Sequence, residues 1–291
     1  MIFKGNCTAL VTPFTKRSKV NFKVLEKLIE NQIKNGTKAI LILGTTGESV
    51  TLTEKEKIDI VNFAKKVVNK RVPLIVGAGS NNTNEAIRLS RLFQSLGADA
   101  ILSITPYYNK TTQFGLIKHF SAIAKSVDIP IILYNVPSRT GVNILPQTVF
   151  ELSKIYNIVG IKEASGNLNQ ISKIIHLCPK DFAVYSGDDS LTLPSLSVGS
   201  QGVISVAANI FPQKINKMCE LFFIGKTEEA KQIHHQMLET FEILFCEVNP
   251  IPVKAALNIM GFCVGSLRPP LLGISRKNYY KLKEIIKKVG D

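Results

Sequence analysis

IILYN at 131–135 and IVGIK at 158–162 are short runs rich in β-branched residues, with little alternation of polar and apolar positions. A strand that is apolar almost throughout is buried on both faces, as parallel strands between helical layers are. Similar runs occur at Thr8–Val11, Ala39–Leu43, Leu74–Gly77, Ala100–Ile104, Ala183–Ser186 and Gly202–Ser205. Between them lie amphipathic patterns, among them Phe22–Lys34, Gln113–Ser126 and Pro146–Ile155. Thr53 with Glu56, Asn82 with Glu85 and Asn167 with Gln170 have capping-box spacing at helix starts. Eight strand–helix repeats predict an α/β fold, a (β/α)8 TIM barrel over residues 1–225. GAGSNN after the third run is not the glycine fingerprint of a dinucleotide-binding sheet. From residue 226 to 291 only helical patterns remain, at Thr227–Cys246, Pro250–Met260 and Ser275–Val289, and they predict a small C-terminal helical domain.

Composition narrows the function. With 45% hydrophobic and 20% charged residues, the 291-residue chain is ordinary for a soluble globular protein. The first residues lack the pattern of a signal peptide, and no apolar run spans a bilayer, so a cytoplasmic protein with no membrane partner is expected. Five scattered cysteines without a CxxC pair predict reduced thiols, and no metal-binding spacing appears. The net charge of +14 is unusual. Its lysines lie in helical surface patterns such as KLKEIIKKVG, without an arginine-rich block or aromatic interleaving, so no nucleic-acid partner is expected.

In a barrel of this kind the loops after the strands build the active site. Those loops contain GTTGES (44–49), TPYYN (105–109), YNVPSRTG (134–141), KEASGN (162–167), SGDD (186–189) and SVAAN (205–209). Lys162 ends an apolar strand and would enter a dry barrel mouth. Burial disfavours an ammonium, and a neutral amine is what Schiff-base formation with a ketone requires. The alternative is an ion pair with Glu163, although strand neighbours face opposite sides. Tyr134 could relay protons, or be a buried aromatic with a satisfied hydroxyl. Thr45 and Thr46 could present hydroxyl and N–H groups to a carboxylate, or only form a turn. Arg139 could grip a carboxylate with two parallel hydrogen bonds, or be a solvated loop arginine. Tyr107 and Tyr108 cannot both face one site, and one could be an interface aromatic. Of Asp188 and Asp189, one is expected to cap the following helix. His119 is expected on a helix surface. A metal- or phosphate-dependent barrel enzyme and a basic binding protein are the competing classes.

GTTGES, TPYYN, YNVPSRTG, GIKEASGN, SGDD, GVISVAAN and NPIPVK, in this order, resemble the dihydrodipicolinate synthase family of the N-acetylneuraminate lyase superfamily across nearly the whole chain. The resemblance implies condensation of pyruvate with aspartate 4-semialdehyde in lysine and diaminopimelate biosynthesis. It implies that Lys162 forms the imine with no cofactor, that Tyr134 shuttles protons, and that Thr45 and Tyr108 form a hydroxyl relay. Tyr108 would then come from a neighbouring subunit of a homotetramer built as a dimer of dimers. Thr46 would hold the pyruvate carboxylate and Arg139 that of the semialdehyde, with Gly187 and the Ile204 carbonyl lining the pocket. Sialic-acid lyases usually lack this arginine, so Arg139 distinguishes the synthase from that branch and from related lyases of 2-keto-3-deoxy sugar acids. An effector site for lysine would use Ser49, Asn81, Glu85 and Tyr107. The two histidines that lysine-inhibited members add are Glu54 and Lys57 here, which implies weak or absent feedback inhibition.

Overall fold

The computed structural model describes residues 1–290. Its centre is a closed barrel of eight parallel strands paired in sequence order, β8 returning to β1. The strands are β1 (Gly5–Ala9), β2 (Ala39–Ile42), β3 (Leu74–Gly77), β4 (Ala100–Ile104), β5 (Ile131–Asn135), β6 (Ile158–Glu163), β7 (Ala183–Ser186) and β8 (Gly202–Ser205). Alternate residues feed two separate apolar layers, as the period-two geometry of a strand demands. Ile40, Val76, Ile101, Leu133 and Ile161 face the surrounding helices. Cys7, Leu41, Ile75, Leu102, Ile132, Tyr134 and Ile204 fill the interior. Phe3 stacks on Tyr185 with ring centroids 4.1 Å apart, and the Tyr185 hydroxyl donates to Phe3 O at 2.8 Å. This packing closes the lower end of the barrel and leaves the carboxyl ends of the strands as its mouth.

Expected and observed strands coincide at β3, β4, β5, β7 and β8. The first strand begins earlier than its apolar run because Asn6 belongs to it. Buried Asn6 donates from Nδ2 to the hydroxyls of Thr8 and Thr37, which ties its amide nitrogen into the sheet. Helix starts are mostly as expected. Thr53 and Glu56 form the reciprocal capping box of helix Glu54–Val68. Asn82 and Asn167 cap their helices, but the returning partners are engaged elsewhere, Glu85 with Arg88 and Gln170 with Asn143 and Glu163.

After β8, helix Pro212–Phe223 packs on the first of three C-terminal helices, Thr227–Ile243, Ile251–Ile259 and Arg276–Gly290. Residue 291, the last of the expected 226–291 unit, lies outside the described residues. Among the described residues no helix is long and apolar enough to cross a membrane.

Candidate active site

The register of the sheet builds the site. Tyr134 on β5 lies level with Lys162 on β6, and both side chains point into the barrel. The Lys162 Nζ stands 4.5 Å from the centre of the Tyr134 ring, and the lysine is only 5% exposed. Glu163, the next residue, faces the helices. Its carboxylate accepts from Asn135 Nδ2 at 2.8 Å, Gln170 Nε2 at 3.1 Å and Ser165 N at 2.7 Å. These bonds exclude the alternative of a Lys162–Glu163 pair and leave the amine directed at open space.

That space is a cavity of about 220 Å³ in the barrel mouth. Thr45, Thr46, Tyr134, Arg139, Lys162 and Gly187 all line it. Gly187 is glycine for steric reasons: a Cβ there would stand 2.6 Å from the Ala164 Cβ and 3.0 Å from the Lys162 Cε. The lysine stem therefore has room only because that side chain is missing.

The turn after β2 brings in the threonines. Gly47 N donates to Gly44 O at 3.1 Å and Glu48 N to Thr45 O at 3.0 Å, winding Gly44–Glu48 tightly over the mouth. Arg139 comes from the short helix Pro137–Thr140, which begins immediately beyond β5. It is exposed, and its Nη2 donates to the carbonyl of Asn249 at 3.3 Å.

Asn249 was not singled out from the sequence. It lines the cavity, is 6% exposed, and donates from Nδ2 to the Thr46 hydroxyl at 3.0 Å. One residue from the C-terminal region thus holds both Thr46 and Arg139. The only signal for it was its place in NPIPVK, because 203 residues separate it from Thr46. Ser138, Asp188, Val206 and Phe245 also line the cavity.

Two expected site residues are not among those lining the cavity. Ile204, expected to contribute its carbonyl, has its side chain fully buried in the barrel core, and Val206 two residues on lines the cavity. Tyr108 is 91% exposed and does not line the cavity of its own chain. Its φ of 71° is left-handed, an uncommon state for a residue with a bulky side chain. The effector candidates also divide. Ser49 and Tyr107 line a second cavity of about 270 Å³ that shares Thr45, Tyr134 and Arg139 with the first. Asn81 and Glu85 do not line it; Asn81 O accepts from Asn109 Nδ2 at 2.9 Å. Glu85 is held by Arg88 Nε at 2.8 Å, and that guanidinium keeps its carboxyl below the usual carboxylate range.

Two expectations are corrected. His119 is buried rather than on a helix surface: its Nδ1 lies 2.9 Å from the Thr83 hydroxyl, and burial lowers its pKa to about 4. Asp189 does not cap the helix after it. Its carboxylate accepts from the Ser205 hydroxyl, Val206 N at 3.0 Å and Ala207 N at 2.9 Å, thereby shaping the loop after β8. Asp188 Oδ1 accepts from the backbone N and hydroxyl of Ser190 at 2.9 and 2.8 Å.

A mouth of this kind, with a buried amine beside a phenol, two hydroxyls and a guanidinium, suits carbonyl chemistry on a small acid. Comparison with known proteins agrees. Residues 2–289 match the model of the dihydrodipicolinate synthetase family. A 4-hydroxy-tetrahydrodipicolinate synthase of Clostridium novyi is 50% identical, the match covering 98% of this chain and 96% of that one. A solved structure of a monomeric dihydrodipicolinate synthase variant superposes with a TM-score of 0.98 at 41% identity, covering 99% of this chain and 97% of the other. The chloride-inhibited dihydrodipicolinate synthase of Acinetobacter baumannii, solved with pyruvate, gives 0.97 at 43% identity, covering 100% and 99%.

Proposed function

The chain belongs to the dihydrodipicolinate synthetase family, and from that we propose how its barrel mouth works. Its reaction is the condensation of pyruvate with L-aspartate 4-semialdehyde to 4-hydroxy-tetrahydrodipicolinate, in the biosynthesis of diaminopimelate and lysine. The observation that carries the mechanism is the buried Lys162 amine held beside Tyr134 by the β5–β6 register.

The amine of Lys162 attacks the keto carbon of pyruvate, and loss of water leaves an imine. Thr46, fixed by Asn249, receives the pyruvate carboxylate. Loss of a methyl proton converts the imine to an enamine, whose terminal carbon attacks the aldehyde of the second substrate and forms the new C–C bond. The amino group of that substrate then displaces the lysine nitrogen at the former keto carbon, closing the ring and freeing Lys162. Tyr134, with Thr45 beside it in the cavity, moves the protons of these steps. The lysine amine supplies the electrophilic activation, so the scheme uses no cofactor. Borohydride added with pyruvate is expected to trap the imine as a stable secondary amine on Lys162. An unmodified lysine after such treatment would sink the mechanism.

Arg139 grips the carboxylate of the semialdehyde. Charge-assisted hydrogen bonds contribute about 1.5–3 kcal/mol, so Arg139→Met is expected to raise the KM for the semialdehyde by roughly 10- to 100-fold. The KM for pyruvate should stay within about twofold, since Arg139 does not touch that half of the reaction. Equal rises for both substrates in steady-state kinetics would contradict the assignment.

Tyr108, exposed on its own chain, completes the hydroxyl relay in a second copy, and we infer a homotetramer of two dimers. Sedimentation velocity is expected to show the tetramer, with specific activity falling as dilution dissociates it. One related synthase variant is monomeric, and a fully active monomer of this chain would refute the role of Tyr108. Feedback by lysine is expected to be weak. The Glu85 carboxylate is engaged by Arg88, and Lys57 places a like charge near any incoming ammonium. Substantial inhibition by micromolar lysine in the condensation assay would overturn this. The five free cysteines suit a reducing cytoplasm, where we place the enzyme.

A further inference from the structure

Below the Gly44–Glu48 turn lies the most deeply buried ion pair of the molecule among the described residues. Glu48 and Lys254 have side chains each 1% exposed, with Nζ and Oε1 2.7 Å apart. Every hydrogen-bonding position of the ammonium is filled: besides Glu48, it donates to Thr12 O at 3.1 Å and Ser266 O at 2.9 Å. The second carboxylate oxygen of Glu48 accepts from Arg268 N at 2.9 Å. The Arg268 guanidinium in turn pairs with Glu56 and donates to Thr51 O at 2.8 Å, just beyond the turn.

Stability alone does not explain this arrangement. A buried ion pair gains little over apolar residues of similar volume, because desolvation offsets the attraction. Glu48 also has a left-handed backbone, φ 53° and ψ 36°, which a residue with a Cβ keeps only when its surroundings impose it. The surroundings here are Lys254 and the backbone of Arg268, both from the C-terminal helical region. Relaxation of Glu48 to an ordinary conformation would break its bond to Thr45 O and swing both threonines out of place.

Helix Ile251–Ile259, which carries Lys254, is preceded immediately by Asn249 and Pro250, and Asn249 holds the Thr46 hydroxyl. A second brace comes from the loop after β1, where the Thr12 hydroxyl donates to Gly47 O at 2.6 Å. The turn is therefore gripped at residues 46, 47 and 48, and the carbonyl of Thr12 is itself bound by Lys254.

We propose that Glu48 and Lys254 are positioning residues, through which the C-terminal helices lock the Gly44–Glu48 turn so that Thr45 and Thr46 meet pyruvate. Neither residue touches substrate. The inference rests on pyruvate binding at Lys162, so borohydride trapping on the wild type comes first; failure there removes the imine mechanism before the clamp is tested.

The test compares Glu48→Gln and the double variant Glu48→Gln/Lys254→Met with wild type, by thermal melting and by kinetics in each substrate. The double variant leaves no buried charge unpaired, although Thr12 O and Ser266 O lose a donor, so it is expected to fold and to melt below wild type by less than Glu48→Gln alone does. Its kcat/KM for pyruvate is expected to fall by about 10-fold or more, the scale of a sub-ångström misplacement of contacting groups. The KM for the semialdehyde at saturating pyruvate should stay within about twofold. Glu48→Gln alone is expected to melt lower and to show the same pyruvate defect. Wild-type pyruvate kinetics in either folded variant would overturn the proposal. So would failure of both variants to fold, which would make the pair structural.

Discussion

Lys162→Ala is expected to lower kcat/KM by about 10⁴-fold or more, the scale on which loss of a covalent nucleophile leaves only binding and polar stabilisation. No other residue can replace it in this mouth. Among the described residues lining the cavity, the other basic side chain is the guanidinium of Arg139, whose delocalised nitrogens do not form an imine with a ketone. The variant should fold normally. Lys162 is a nearly buried amine beside an aromatic ring, and removing such a group relieves a desolvation penalty while leaving a small hole. Melting temperature and activity should therefore separate, the first nearly unchanged and the second gone. Thermal melting reads the first, and pyruvate consumption together with borohydride trapping reads the second. If the alanine variant still consumed pyruvate with the semialdehyde at the wild-type rate, the Schiff-base mechanism would be wrong.

Strand β6, which carries this lysine, illustrates why so much of the barrel was legible. Parallel strands buried on both faces are nearly continuous apolar runs, and five of the eight were located to the residue. The first was displaced because Asn6 looks like loop composition, although its amide nitrogen is bound inside the sheet by Thr8 and Thr37. Functional groups at strand ends were equally accessible. Lys162, Tyr134, Thr45, Thr46, Arg139 and Gly187 converge on one cavity because the strand positions fix where their side chains emerge.

What stayed hidden depends on contacts across long stretches of chain. Asn249 reaches Thr46 from the far C-terminal region, and no local pattern announces it. Lys254 has the spacing of an ordinary helical lysine yet is almost wholly buried against Glu48. Glu85 fits a capping box, but a forked arginine outcompetes the backbone for it. His119 occupies a helix that is apolar over most of its surface, so which face turned inward was undetermined. In each case periodicity gives the element, while the partner is chosen by tertiary packing.

Tyr134→Phe is expected to lower kcat by about 10²- to 10³-fold, within the range for loss of a positioned proton-transfer group. Removal of a hydroxyl leaves the ring against the lysine, so the two roles of this tyrosine can be separated. The ring fills the barrel interior with Ile132 and Leu102 and packs beside Nζ, and phenylalanine preserves that shape. Imine formation should then be slow but complete, because water and the Thr45 hydroxyl can still carry protons to and from the carbinolamine. Trapping with borohydride after long incubation should reach the wild-type extent, while the rate of trapping falls with kcat. The KM for pyruvate should change little, since Thr46, the proposed carboxylate contact, is untouched by the substitution. A variant with unchanged kcat would reduce Tyr134 to a packing residue, and the proton traffic of the site would then have to pass through water and the other hydroxyls of the proposed relay.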